Sequence, residues 1–132
     1  MSAPLISLAF DGQQRRFRPG EALSGSYLLQ GLEPAEVKAV ELSVLWYTEG
    51  KGEEDLAVHF FERCETAAGT FEVGRPHPFS TRLPAAPLSY AGLIVKVCWC
   101  VRVRVFLAQG KDLFAEEPFQ LGSVPAAREV EA

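Results

Sequence analysis

The side chains in this sequence whose types could support chemistry are two histidines, three cysteines and a scatter of charges. His59 follows Glu53, Glu54 and Asp55, a grouping that could suggest a metal site built from carboxylates and an imidazole. Residues four apart on a strand, however, lie about 13 Å from one another, too far to share one ion. The plainer reading is an acidic loop that enters a strand. His77 stands in no catalytic spacing, and no Ser/His/Asp arrangement can be drawn. Cys98 and Cys100 flank Trp99 and point to one side of a strand, so with Cys64 they invite a zinc or redox reading. Zinc ligands usually come as pairs with at least two intervening residues and a fourth partner. A disulfide between neighbours on one strand face would be strained. The cysteines therefore read as small buried hydrophobes. No catalysis, cofactor or metal is expected.

Three groups of residues remain as binding candidates. Lys96, Arg102 and Arg104 form a basic stripe along one side of a long alternating run. It could be a solvated face, a row paired with acids on neighbouring strands, or a docking surface for an acidic peptide or phosphate. Residues 49–55 form a mostly acidic loop containing Glu49, Lys51 and Glu53. The loop lacks the Gly-rich, Lys-Ser/Thr ending that cradles phosphate, which leaves a bare hairpin loop or a partner contact. Trp46, Tyr47, Tyr27 and Tyr90 could hold a sugar or a metabolite. Trp46 and Tyr47 alternate, however, and point to opposite faces of a strand.

These residues are positioned by strands. Between Ile94 and Ala108, Val95, Val97, Trp99, Val101, Val103, Val105 and Leu107 alternate with Lys96, Cys98, Cys100, Arg102, Arg104 and Phe106. At about 3.3 Å per residue the run spans roughly 45–50 Å, long enough that a bend or bulge is expected within it. Ile6, Leu8 and Phe10 begin a first strand, and Asp11-Gly12 reads as a hairpin turn into Arg15–Arg18. Pro19-Gly20 turns the chain again. Leu23, Gly25, Tyr27 and Leu29 line one face of the next strand, and Val40, Leu42, Val44 and Trp46 line another. Leu56, Val58 and Phe60 suggest a fifth strand, Phe79, Thr81 and Leu83 a sixth, and residues 113–121 the last. Such short strands with Gly and Pro turns predict an all-β fold, an antiparallel immunoglobulin-like β-sandwich of seven to eight strands over residues 1–121. A closed barrel has the same periodicity. Residues 122–132 read as a disordered acidic tail.

Composition narrows the function. The chain has 132 residues, 48% hydrophobic and 23% charged, enough for one core. A net charge of −4 argues against nucleic acid and anionic lipid as partners. No apolar run is long enough to insert into a membrane, and the N-terminus lacks a signal-peptide pattern. An odd number of cysteines suits a reducing compartment, so the cytoplasm is expected.

Two stretches resemble the arrestin-like fold family, in the broad sense that takes in arrestin-domain-containing proteins, retromer-type sorting subunits and bacterial sporulation-control relatives. One is Phe17-Arg18-Pro19-Gly20-Glu21-Ala22-Leu23-Ser24-Gly25. The other runs from Phe79-Ser80-Thr81-Arg82-Leu83-Pro84 through Pro87-Leu88-Ser89-Tyr90-Ala91-Gly92 into the long strand from Ile94 to Val105. The resemblance implies an arrestin-type sandwich and a scaffold or adaptor style of work. It departs from the family pattern in having length for one sandwich, no Pro-Pro-x-Tyr motif and no amphipathic helix. The expected function is a non-enzymatic, arrestin-like protein–protein interaction or scaffold domain, binding a protein partner through a sheet edge or end loops. A homodimer through a sheet edge is one form of this. The alternatives are a small-molecule or carbohydrate-binding β-sandwich, or a structural piece of an envelope assembly.

Overall fold

Alternating apolar side chains give the long strands one buried face each, and two such sheets stack to cover one another. The computed structural model describes residues 3–52, 54–65, 71–92 and 94–122. Leu93, Glu53 and all but the first residue of the expected tail lie outside that set. The strands are β1 (Leu5–Phe10), β2 (Arg16–Phe17), β3 (Ala22–Gln30), β4 (Val37–Gly50), β5 (Leu56–Glu65), β6 (His77–Arg82), β7 (Tyr90–Ala91), β8 (Val95–Leu107) and β9 (Asp112–Leu121). Single 3-10 turns sit at Asp11–Gln13 and Pro34–Glu36. A three-stranded sheet, ordered β1-β3-β6, faces a six-stranded sheet ordered β2-β9-β8-β4-β5, with β7 paired to the start of β8. Pairing is antiparallel except between β2 and β9. Seven of these strands are long and two are two-residue bridges, so the expected all-β sandwich is what the chain forms.

The core lies between the sheets. Trp99, Val101, Val103 and Val105 of β8 are buried and face inward, as do Val40, Leu42 and Val44 of β4. Leu23, Gly25, Tyr27 and Leu29 of β3 meet them from the small sheet, on the face the sequence assigns them. At one end Phe10, Phe17 and Phe119 pack edge to face, with centroids 5.5 to 6.1 Å apart. Such aromatic contacts add about 0.5–1.5 kcal/mol per pair beyond the buried area.

Three local expectations are corrected. Asp11-Gly12 does not close a hairpin. Gly12 and Gln13 both take positive φ, 65° and 57°, and carry the chain from β1 in one sheet to β2 in the other. Phe10 and Phe17 drive this, because each buries its ring in the shared core. The second correction is that β8 carries the long alternation without a bulge. The irregularities sit near Lys38 in β4, the neighbour of β8, and at His59 in β5, the strand beyond it. As the central strand, β8 is paired on both sides, and the bulges on the other strands absorb the mismatch.

The third correction concerns β5. Phe60 pairs with Val44, but Val58 pairs with Leu45, leaving His59 as the extra residue. The bulge shifts the alternation by one, so Phe60 faces the core while Leu56 and Val58 join Phe61 on the outward face. These three are 57%, 49% and 51% exposed, against the expectation that Leu56, Val58 and Phe60 line one buried face.

Candidate functional site

The outer face of the six-stranded sheet, opposite the core, collects most of the residues singled out by sequence. On β8, Lys96, Cys98, Cys100, Arg102, Arg104 and Phe106 project to this side, set by the same alternation that buries Trp99. Across from them stand Glu49, Tyr47, Leu45, Ser43, Glu41 and Ala39 of β4. β9 contributes Pro118, Glu116, Phe114 and Asp112.

The arginines of the stripe have partners. Arg102 bonds Glu116 at 2.6 Å, and Arg104 Nε donates to Asp112 at 3.1 Å. The Arg104 guanidinium also lies 4.6 Å from the Phe106 ring centroid, with Arg63 5.1 Å from the same ring. Arg63 itself is clamped by Glu41 and Glu65. These are surface pairs, most of them between neighbouring strands, and the net contribution of each ion pair is about 0–1 kcal/mol. Lys96 stands apart from them. It faces Glu49 across the β4–β8 ladder and lines a hollow of about 320 Å³ with Tyr90, Cys98 and Gln120. Lys51 is exposed and its backbone N–H donates to Ile94 O at 3.1 Å. Arg102, Arg104, Lys96 and Glu49 thus share one face, with Lys51 at its rim and Glu53 outside the described residues.

The candidate catalytic and metal residues are engaged elsewhere. His59 Nε2 donates to Arg82 O at 2.8 Å, tying the edge of one sheet to the edge of the other. His77 stacks between Tyr27 and Phe71, 5.1 and 4.5 Å away, and its Nε2 donates to Glu72 O. Cys100 is buried, Cys98 half-buried and Cys64 exposed, so the reading as buried hydrophobes fits Cys100 and not Cys64. The four aromatics do not converge. Tyr27 is in the core, Trp46 and Tyr47 sit on opposite faces of β4, and Tyr90 is in β7.

Burial on both faces also sets an alkaline limit. Loss of solvent raises the Tyr27 and Tyr47 phenols and the Cys100 thiol to about 12, with nearby carboxylates and thiols adding to the effect. Each group holds its proton more tightly folded than unfolded, so stability is present below the ordinary pKa values and lost as pH rises through the folded ones. The melting temperature is therefore expected to fall between about pH 9 and pH 12, with tyrosinate absorbance rising as the chain unfolds. Titration of all the tyrosines near pH 10 in the folded state would contradict this.

The surface that sequence reading missed is the free edge of β5. Among the described residues this ten-residue strand pairs only with β4, and its outward side carries Leu56, Val58 and Phe61. Its C-terminal half is guarded by Glu62, Arg63 and Glu65, and the His59 bulge lies just before it, devices that block edge pairing. The stretch from Leu56 to Val58 carries no charge. A signal was present in the sequence, since adjacent phenylalanines at 60 and 61 cannot share a face and so mark a break in the alternation.

Comparison with known proteins gives a fold. No protein-family model and no curated protein matches the sequence. Among solved structures, the crystal structure of Spo0M, a sporulation control protein from Bacillus subtilis, superposes with a TM-score of 0.66 at 18% identity. The match covers 94% of this chain and 51% of that one, so the chain spans about half the length of Spo0M. Among the described residues, no helix is long and apolar enough to cross a membrane. The sheet order, the core and this likeness agree with the resemblance carried by the two sequence stretches: the chain has the arrestin-like fold.

Proposed function

We propose that the chain is a non-enzymatic interaction domain of the cytoplasm that docks a protein along the free edge of β5, the occupant being a second copy of itself. The observation that carries this reading is the exposed edge with its outward row of Leu56, Val58 and Phe61. Unpaired backbone groups supply hydrogen bonds to an added strand, and the apolar row supplies the area that leaves water. The engagement of His59 and His77 with backbone carbonyls supports a non-enzymatic role, and three free cysteines support a reducing setting.

The test is light scattering coupled to size exclusion on the wild type and on Val58→Lys with Phe61→Lys. Both side chains are about half exposed, so the variant should keep its circular dichroism and melting temperature. The wild type is expected at twice the monomer mass and the double variant at the monomer mass. A monomeric wild type at high concentration removes the second copy as the occupant. A variant that still dimerises places the interface elsewhere.

A further inference from the structure

At the other edge of the six-stranded sheet, β2 pairs, among the described residues, with β9 alone. Gln120 N–H and Gly122 N–H bond the carbonyls of Arg15 and Phe17, at 2.8 Å each, so the Arg16 backbone groups point away from the sheet. The three arginines of β2 and its flanks differ in their partners. Arg15 bonds Glu117 at 2.6 Å. Arg16 and Arg18 are exposed, and among the described residues no carboxylate lies within ion-pair distance of either guanidinium. Arg82, the other described arginine without a carboxylate partner, donates to Gly20 O at 2.9 Å beside them. Arg16 and Arg18 line a cleft of about 810 Å³ with Gln14, Phe17, Glu21, Gln120 and Gly122.

The free edge of β2 is occupied by side chains where a neighbouring strand would lie. Gln14 Nε2 donates to Arg16 O at 2.8 Å, and the Glu21 carboxylate accepts from the Arg18 N–H at 2.8 Å. Gln14 also donates to that carboxylate at 2.9 Å, and these two hydrogen bonds, with the nearby Arg18 charge, hold Glu21 below its ordinary pKa. An amide and a carboxylate thus fill the donor and acceptor positions of a missing strand.

We propose that this corner binds an acidic peptide segment in extended conformation, added as a strand beside β2 in place of the Gln14 and Glu21 side chains. Arg16 and Arg18 are two residues apart, so their Cα atoms lie about 7 Å apart, the spacing of alternate residues on an added strand. Carboxylates at alternate positions of the peptide meet them as charge-assisted pairs. Its backbone takes over the bonds now made by Gln14 and Glu21. A nucleic acid fits less well, since two free guanidiniums beside Glu21 and Glu117 displace few counterions. The site lies on β2 and does not depend on dimerisation through β5.

The test is fluorescence anisotropy with a labelled peptide of alternating glutamate and valine. Its glutamine-for-glutamate counterpart, a single-stranded DNA and phosphatidylserine vesicles serve as competing probes. The glutamate peptide is expected to bind wild type, and the glutamine peptide to bind about tenfold more weakly. Arg16→Gln with Arg18→Gln should lose about tenfold in affinity for the glutamate peptide. Glu21→Ala should gain about threefold by removing the resident competitor, with Glu21→Gln as the backup variant if alanine unsettles the turn. The proposal is overturned if the wild type does not bind the glutamate peptide, or if the two peptides bind alike. Unchanged affinity in the double arginine variant, weaker binding after Glu21→Ala, or preference for the DNA or vesicles would overturn it equally.

Discussion

Replacing Trp99 with alanine is expected to destabilise the fold by about 3–5 kcal/mol, the range for removing a large aromatic from a core. Trp99 is 1% exposed in the first half of β8. Its ring meets Phe119 at 5.7 Å and His59 at 6.2 Å, and its Nε1 donates to Pro87 O at 2.7 Å. The side chain thus joins β8, β9, β5 and the segment before β7. Alanine would leave both a cavity and an unpaired carbonyl. Trp99→Phe separates the two effects: the space stays largely filled, and the lost hydrogen bond costs about 1–3 kcal/mol. Urea denaturation of both variants measures the difference. A loss under about 1 kcal/mol for alanine would show that the indole is not the keystone of this end of the core.

Gly25→Val is expected to be comparably severe, for the opposite reason. Gly25 sits in β3 with Phe10 on one side and Phe79 on the other. A β-carbon there would lie 2.3 Å from Ala9 O and 2.9 Å from the Phe79 ring. The backbone oxygen cannot swing away, so the strands must part or the side chain must leave its rotamer. Overpacking of this kind costs about 1–3 kcal/mol, and the branched valine belongs at the upper end. Thermal unfolding should show a lower midpoint for Gly25→Ala and a lower one again for Gly25→Val. Equal stability of all three proteins would contradict the packing described.

What the sequence discloses of this fold depends on how local each signal is. The alternation of β8 is readable because every residue from Val95 to Leu107 obeys it and because its face is buried by residues that obey it too. The Pro19-Gly20 turn is readable for the same reason: proline and a glycine at φ 81° set it within four residues. The β5 face is misread because one inserted residue, His59, inverts everything before it, and only pairing with β4 exposes the insertion. Asp11-Gly12 misleads because turn chemistry is shared by hairpins and by crossings between sheets. What decides between them is where Phe10 and Phe17 bury their rings.

The surface is less legible than the core. For Arg102 and Arg104 the sequence leaves open a solvated face, a row paired with acids and a docking surface, and only β9, with Glu116 and Asp112 beside them, decides for pairing. Arg16 and Arg18 look like turn-flanking charges until the fold leaves them, among the described residues, without an ion pair. Both outcomes follow from register between segments about a hundred residues apart or joined by a tight turn, which no local pattern encodes. The resemblance to the arrestin-like fold survives because its two stretches, around Gly20 and from Phe79 to Val105, carry the turns and the central strand themselves.

The claim that β5 is a docking edge is tested most directly by amide hydrogen exchange of the wild type at high and low protein concentration. Pairing of two copies along this strand predicts slower exchange at Leu56, Val58 and neighbouring β5 amides as concentration rises. The central amides of β8, already protected by β4 and β9, should not change. In Val58→Lys with Phe61→Lys the concentration dependence should vanish. β5 amides that exchange rapidly and identically at every concentration would contradict the account.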